Sequence, residues 1–216
     1  SEILRGISRS RSDVQPVFDT MAATALRLCD ARFSAIYRFD GEFIHIGAMQ
    51  NLDPEGTAAF RTAYPCRPRR EGTTQRAILT HSIVHMPDIR AELEYAYHDV
   101  AKSANYRSVL SVPMLRDGQP IGAITVYRDV AGPFPDSQIK LLKTFADQAV
   151  IAVENVRLLN ALEVRNRDLT EALEQQTATS KILRVISQSQ TDVQPVFDTI
   201  ARAAQDLCGA TSANVF

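Results

Sequence analysis

Between positions 85 and 108 the chain concentrates imidazoles, phenols and hydroxyls, and His85, Tyr95, His98, Tyr106 and Ser108 are the candidate ligand-binding residues among them. Pockets for small molecules pair apolar walls with a few convergent polar groups, and these residue types supply both. Other chemistry finds fewer parts. His81 and His85 are four apart, a metal-binding spacing on a helix, but a helix-to-strand break expected between them makes the side chains diverge. Cys29, Cys66 and Cys208 form no CxxC pair. Gly118 and Gly122 read as a hairpin and a strand start, not as a phosphate-binding loop. No HExxH or nucleophile elbow occurs, and the carboxylates are scattered over surface helices without an acid–base pair. The residues point to a binding role rather than catalysis, and they leave any cofactor unknown.

Charge narrows the partners. The chain carries 24 basic and 25 acidic residues, which leaves no electrostatic footprint for nucleic acid or an anionic membrane. The cluster Arg67-Pro68-Arg69-Arg70 reads as a solvated loop. No apolar run approaches the roughly 18 residues of a membrane span, and no leader pattern opens the chain. Two of the three cysteines, Cys29 and Cys208, occupy equivalent repeat positions in apolar helices, which suits core packing better than disulfides. A reduced, cytoplasmic protein is expected.

The elements that must position these groups are arranged by a repeat. Residues 1–37 and 180–216 align without a gap, and twenty of the thirty-seven pairs are identical. Self-similarity at so long a period indicates a duplicated domain with its connector rather than a solenoid. The expected organisation is the end of a preceding helical linker (1–12), one domain (13–155), a coiled-coil helix (156–190) and the truncated start of a second domain (191–216).

Within the first domain, Val14, Val17, Phe18, Met21, Ala25, Leu28 and Cys29 have helical spacing, with Asp13 as the expected N-cap and Pro16 in the first turn. Asp192 and Pro195 repeat the device. The runs RFSAIYRF and EFIHIGAM flank Asp40-Gly41, and SVLSVPML and PIGAITVY flank Asp117-Gly118. Both pairs are hairpin signals with two positive-φ turn positions. With the short run SIVHMPD they make an antiparallel sheet of about five strands. Segments 53–64 and 73–81 read as short helices, and 94–105 as a loop or irregular helix. The alternation of strand pairs with an irregular insertion and terminal helices defines an α+β fold.

From Asp136 the sequence carries neither Pro nor Gly until Pro195. Leu159, Leu162, Leu169, Leu173 and Leu183 fall on a and d positions of one heptad frame, with Asn166 at an a position and Gln176 at a d position. A buried Asn fixes register and favours two strands, so a homodimer through this helix is expected. Residues 139 to 153 are expected to pack on their own domain instead.

The run DVQPVFDTMAATALRLCDA followed by FSAIYRFDGE resembles the start of a GAF domain, and so do ILTHSIVHMPDI, YRSVLSVPMLRDGQPIGAITVYRD and FADQAVIAVENVRLLNAL. The linker EVRNRDLTEALEQQTATSKILRVIS resembles those joining GAF units in bacterial sensor histidine kinases and nucleotide cyclases. The resemblance implies a central antiparallel sheet of five to six strands, terminal helices on one face and a pocket between the other face and the insertion. It implies a sensor module for an unknown small molecule, transmitting through a dimeric helix. The cyclic-nucleotide signature of the family has no match here, and the stretch where bilin-binding members carry a cysteine has His98 but no Cys. Haem-binding members use a pocket histidine, for which His85 and His98 are the candidates. The family's methionine sulfoxide reductases use clustered cysteines, which this arrangement lacks. The competing reading is a ligand-free dimerisation spacer whose pocket is plugged by Phe60, Tyr64, Tyr95, Tyr97 and Tyr106.

Overall fold

The first helix forms where the apolar spacing demands it. α1 runs Gln15–Leu28 with Val14 in the cap position and Pro16 in the first turn, where a missing N–H costs nothing. The structure, a computed structural model, describes residues 14–188 and 194–208. The expected linker at 1–12, the Asp13 and Asp192 caps and the end of the truncated second domain from 209 lie outside those residues.

Five strands follow: β1 (Phe33–Phe39), β2 (Ile44–Gln50), β3 (Val84–Met86), β4 (Ser108–Arg116) and β5 (Gln119–Arg128). They form one antiparallel sheet in the order β2-β1-β5-β4-β3, so the N-terminal and C-terminal hairpins meet along β1 and β5. Asp117 and Gly118 both take positive φ, +51° and +77°, as a two-residue β4–β5 turn requires. The first hairpin departs from expectation. Its loop spans residues 40–43, and in the Asp40-Gly41 pair only Gly41 has positive φ. The Asp40 carboxylate accepts the Glu42 and Phe43 N–H groups instead, so a side-chain turn replaces the tight backbone one. The β1–β2 register shifts between Ile36 and Tyr37, where Gly47 of β2 is the extra residue. On the other side of β1, Gly122 of β5 brings its backbone so close that an added Cβ would stand 2.1 Å from the Tyr37 carbonyl oxygen.

Alternation along the strands sends one set of side chains to each face. On one face, Ile36, Leu110, Val112, Ile124 and Val126 pack with Phe18, Met21, Ala22 and Ala25 of α1 and with the start of a long C-terminal helix. That helix, α5, runs Asp136–Gln188, and its Leu142, Ala146, Ala149 and Val150 are buried in this core. On the other face, Phe33, Ala35, Tyr37, Val109, Ala123 and Tyr127 are covered by three short helices: α2 (Pro54–Ala63), α3 (Thr73–Thr80) and α4 (His98–Ser103). The expected loop or irregular helix at 94–105 is thus a six-residue helix after an irregular approach. α2 is capped by Asp53, whose carboxylate accepts the Gly56 N–H at 2.7 Å.

The described residues up to Arg157 form one compact unit and those from Leu158 a second. In the second unit α5 continues and a further helix, α6, spans Gln194–Cys208, the positions equivalent to α1 in the repeat. Leu159, Leu162, Leu169, Leu173 and Leu183 are each about 60% exposed along α5, and Asn166 is exposed between them. No helix among the described residues is long and apolar enough to cross a membrane.

Candidate functional site

Phenols dominate the layer between the sheet and the short helices. β1 contributes Tyr37 and β5 contributes Tyr127, both at inward positions of the alternation, while Tyr64 follows α2 and Tyr95 and Tyr106 flank α4. All five are buried. Their hydroxyls are not orphaned. Tyr37 and Tyr127 are hydrogen-bonded at 2.8 Å and Tyr95 and Tyr106 at 2.7 Å, and Gln75 Nε2 donates to the Tyr64 hydroxyl at 2.9 Å. Thr74 of α3 joins Thr125 of β5, which joins Ser111 of β4, each at 2.9 Å. The rings interlock as well: Phe33 stacks on Tyr127 with centroids 4.3 Å apart, and Phe60 meets Tyr127 edge-on at 5.6 Å.

The electrostatics follow from burial. The buried members of this cluster, Gln75 and the hydroxyl-bearing side chains included, are all uncharged. Desolvation holds the Tyr127 phenol up to about 12, and it raises Tyr37, Tyr64, Tyr95 and Tyr106 well above the ordinary phenol value. Charge enters only at the rim, where Arg69 and Glu71 act on half-buried Tyr97, itself pushed up to about 12, chiefly by burial.

The five residues singled out from the sequence separate. Tyr95 and Tyr106 come together, and the exposed His98 ring stands edge-on to Tyr95 at 5.4 Å. His85 and Ser108 do not join them. His85 pairs with Leu110 in the β3–β4 register and so faces the terminal helices, where its Nε2 accepts the Phe134 N–H at 3.1 Å. Burial and nearby Arg128 lower its pKa, which keeps the ring a neutral acceptor. The Ser108 hydroxyl donates to the Gly132 carbonyl on the same side. Alternation places Tyr106 and Ser108 on one face only if the strand includes both. It does not: β4 begins at Ser108, and Asn105, with φ +48°, turns the chain just before it. A haem reading is therefore left with His98, since His85 Nε2 is committed to the backbone.

Tyr37, Tyr127, Thr74, Gln75, Ser111 and Thr125 were not found by sequence reasoning. A signal existed: in FSAIYRF and AITVYR a tyrosine sits in phase with small or hydroxyl residues, out of phase with the aliphatic ones. Cys29 packs with the terminal helices and Cys66 against the tyrosine layer, on opposite faces of the sheet, so these two make no dithiol. Among the described residues no group of three metal-ligating side chains occurs.

The chain belongs to the GAF domain family, whose model matches residues 11–154. Solved structures share the fold. A GAF domain/HD domain protein from Geobacter sulfurreducens superposes with a TM-score of 0.60 at 21% identity, covering 69% of this chain and 97% of that one. A domain ascribed to a two-component sensor histidine kinase of Sinorhizobium meliloti 1021 gives 0.58 at 15% identity, covering 70% and 97%. The type II free methionine-R-sulfoxide reductase from Thermoplasma acidophilum gives 0.53 at 19% identity, covering 67% and 97%. No curated protein matches the chain.

Proposed function

We propose that the chain is a regulatory sensor module of a cytoplasmic signal-transduction protein. It binds a small molecule in the tyrosine layer and passes the bound state along a paired α5. One observation carries the reading: five phenol hydroxyls, two threonines, a serine and Gln75 are gathered between the sheet and three short helices. Aliphatic side chains fill a core without partners to satisfy, so a hydroxyl network at this density suits recognition better than packing. The uncharged lining favours a neutral, flat ligand with hydrogen-bonding edges over a phosphate or a carboxylate. Tyr95, His98 and Tyr106 carry the ligand contacts in this reading, and His85 and Ser108 hold the frame behind them.

The leucines exposed along α5 support transmission, since a helix pair answers a small shift at one end with a change of rotation or register. The repeat supports residues 191–216 as the start of a second GAF domain and, with it, a tandem arrangement ahead of a kinase or cyclase output. A reductase role lacks a cysteine pair in the described domain.

A second reading is favoured by the same hydroxyls, because each is already satisfied by another side chain and the layer needs no ligand to be stable. In that case the domain is a dimerisation spacer. Native mass spectrometry of the purified chain, joined to a thermal-shift series with phenol, indole, benzoate and cyclic AMP, decides between them. A co-purified mass, or stabilisation by the neutral probes that Tyr106→Phe abolishes, supports the sensor. An apo mass with no stabilisation by any probe supports the spacer, and a Soret band assigns haem.

A further inference from the structure

On one side the sheet ends at β2, and the chain begins to cover that edge but stops. Ile44 exchanges amide and carbonyl with Cys66, at 2.7 and 3.1 Å. Its backbone groups therefore point away from β1, and by alternation so do those of Ile46. The residue of the returning chain that would meet Ile46 is Tyr64. Its N–H is spent on the Phe60 carbonyl at the end of α2, and Pro65 has no N–H to give. The cover ends after one bridge. Beyond the extra residue Gly47, Met49 shares the tyrosine face with Ile44 and Ile46, so its backbone groups share their outer edge. This edge lies in an open groove of about 660 Å³. One flank is α1, where Gln15 Nε2 donates to the Gly47 carbonyl at 2.9 Å and to Asp19 at 3.0 Å. The other flank is α2, where Thr57 and Arg61 stand one turn apart, and Tyr64 closes the end. Arg61 is exposed and has no partner among the described residues.

We propose that this groove takes a short extended segment of a partner polypeptide, added to β2 as a sixth strand, with an acidic side chain towards Arg61 and a basic one towards Asp19. The backbone of Ile46 and Met49 offers donors and acceptors at strand spacing, which a main chain matches group for group. Charge complementarity selects the side chains. Adjacent residues of a strand point to opposite faces, so a neighbouring basic–acidic pair serves both flanks at once. The register shift at Gly47 breaks the flat edge that another sheet would need, and the flanking helices leave width for one chain. A second copy is the poorer fit. Antiparallel pairing of two β2 edges is two-fold, so each flank would meet its own counterpart, Arg61 towards Arg61 and Asp19 towards Asp19. The groove shares only Tyr64 with the buried phenols, and the proposal stands apart from any ligand bound among them.

The probe is acetyl-Thr-Val-Lys-Glu-Val-Thr-amide, titrated into the full chain by calorimetry and by amide nuclear magnetic resonance. It should bind, shift the Ile46 and Met49 amides and slow their exchange with solvent. Replacing its Glu by Gln should weaken binding about threefold, the size of an exposed ion pair. In Arg61→Glu the order should reverse, so that a peptide with Lys in place of Glu binds better than the parent peptide. N-methylation of the peptide's edge-facing amides should abolish binding, a control that leaves the protein untouched. Several results overturn the proposal: no binding by any peptide, equal affinity for the Glu, Gln and Lys peptides, or full affinity after N-methylation. Competition by N-acetylglutamate amide at the peptide's own concentration would assign the groove to a small acid instead. A change of sedimentation in Arg61→Glu without peptide would assign it to a second copy. Binding lost in Tyr106→Phe but kept in Arg61→Glu would move the peptide to the tyrosine layer.

Discussion

The tyrosine layer should make the domain abruptly sensitive to alkali. A free phenol ionises near about pH 10, but burial holds Tyr127 up to about 12 and keeps Tyr37, Tyr64, Tyr95 and Tyr106 higher than an ordinary phenol. Above pH 10 the unfolded chain therefore binds fewer protons than the native one, and stability falls as pH rises; below that value these groups cost nothing. By about pH 11 each buried phenol has removed about 1.4 kcal/mol, and the five together about 7 kcal/mol. Domains have about 5–15 kcal/mol in total, so unfolding is expected between about pH 11 and 12. The chain has no tryptophan and six tyrosines, so the tyrosinate absorbance band counts ionised phenols directly. Followed with far-ultraviolet circular dichroism, phenolate should be absent until a cooperative step in which the buried rings ionise together as the sheet signal is lost. A gradual titration centred near pH 10, with native dichroism throughout, would refute the reasoning and show that these hydroxyls reach water.

Gly122→Ala should cost about 3 kcal/mol, because its Cβ would stand 2.1 Å from the Tyr37 backbone oxygen in the β1–β5 pair, which cannot swing aside as a side chain would. A urea midpoint equal to that of the parent chain would show that the β1–β5 pair can spread. Asp53→Ala should cost about 1 kcal/mol through the lost cap of α2, and Asp53→Asn should recover most of it. Thermal melts of the three proteins decide this, and equal melts for Ala and Asn would assign the loss to something other than the cap.

Much of the architecture was written locally. The 3.6-residue spacing from Val14 to Cys29, the unbroken helical run after Asp136 and the Asp117-Gly118 turn are properties of neighbouring residues, and each appears where its pattern lies. The second face was harder to read. Whether Tyr106 and Ser108 share a side depends on where β4 starts, and that is fixed by the left-handed turn at Asn105 and by pairing with Arg128, which is remote in sequence. His85 was assigned to the pocket by proximity in sequence, yet its register with Leu110 sends it to the other core. Tyr37, Tyr64 and Tyr127 lie far apart along the chain, and only the β1–β5 pairing and the return of the chain after α2 bring their hydroxyls together. The sequence alone determined the elements and the sheet, because periodicity and turn chemistry act over a few residues. The tertiary structure alone decided which side chains meet, because a shift of one residue in strand start or register moves a side chain to the opposite face of the sheet.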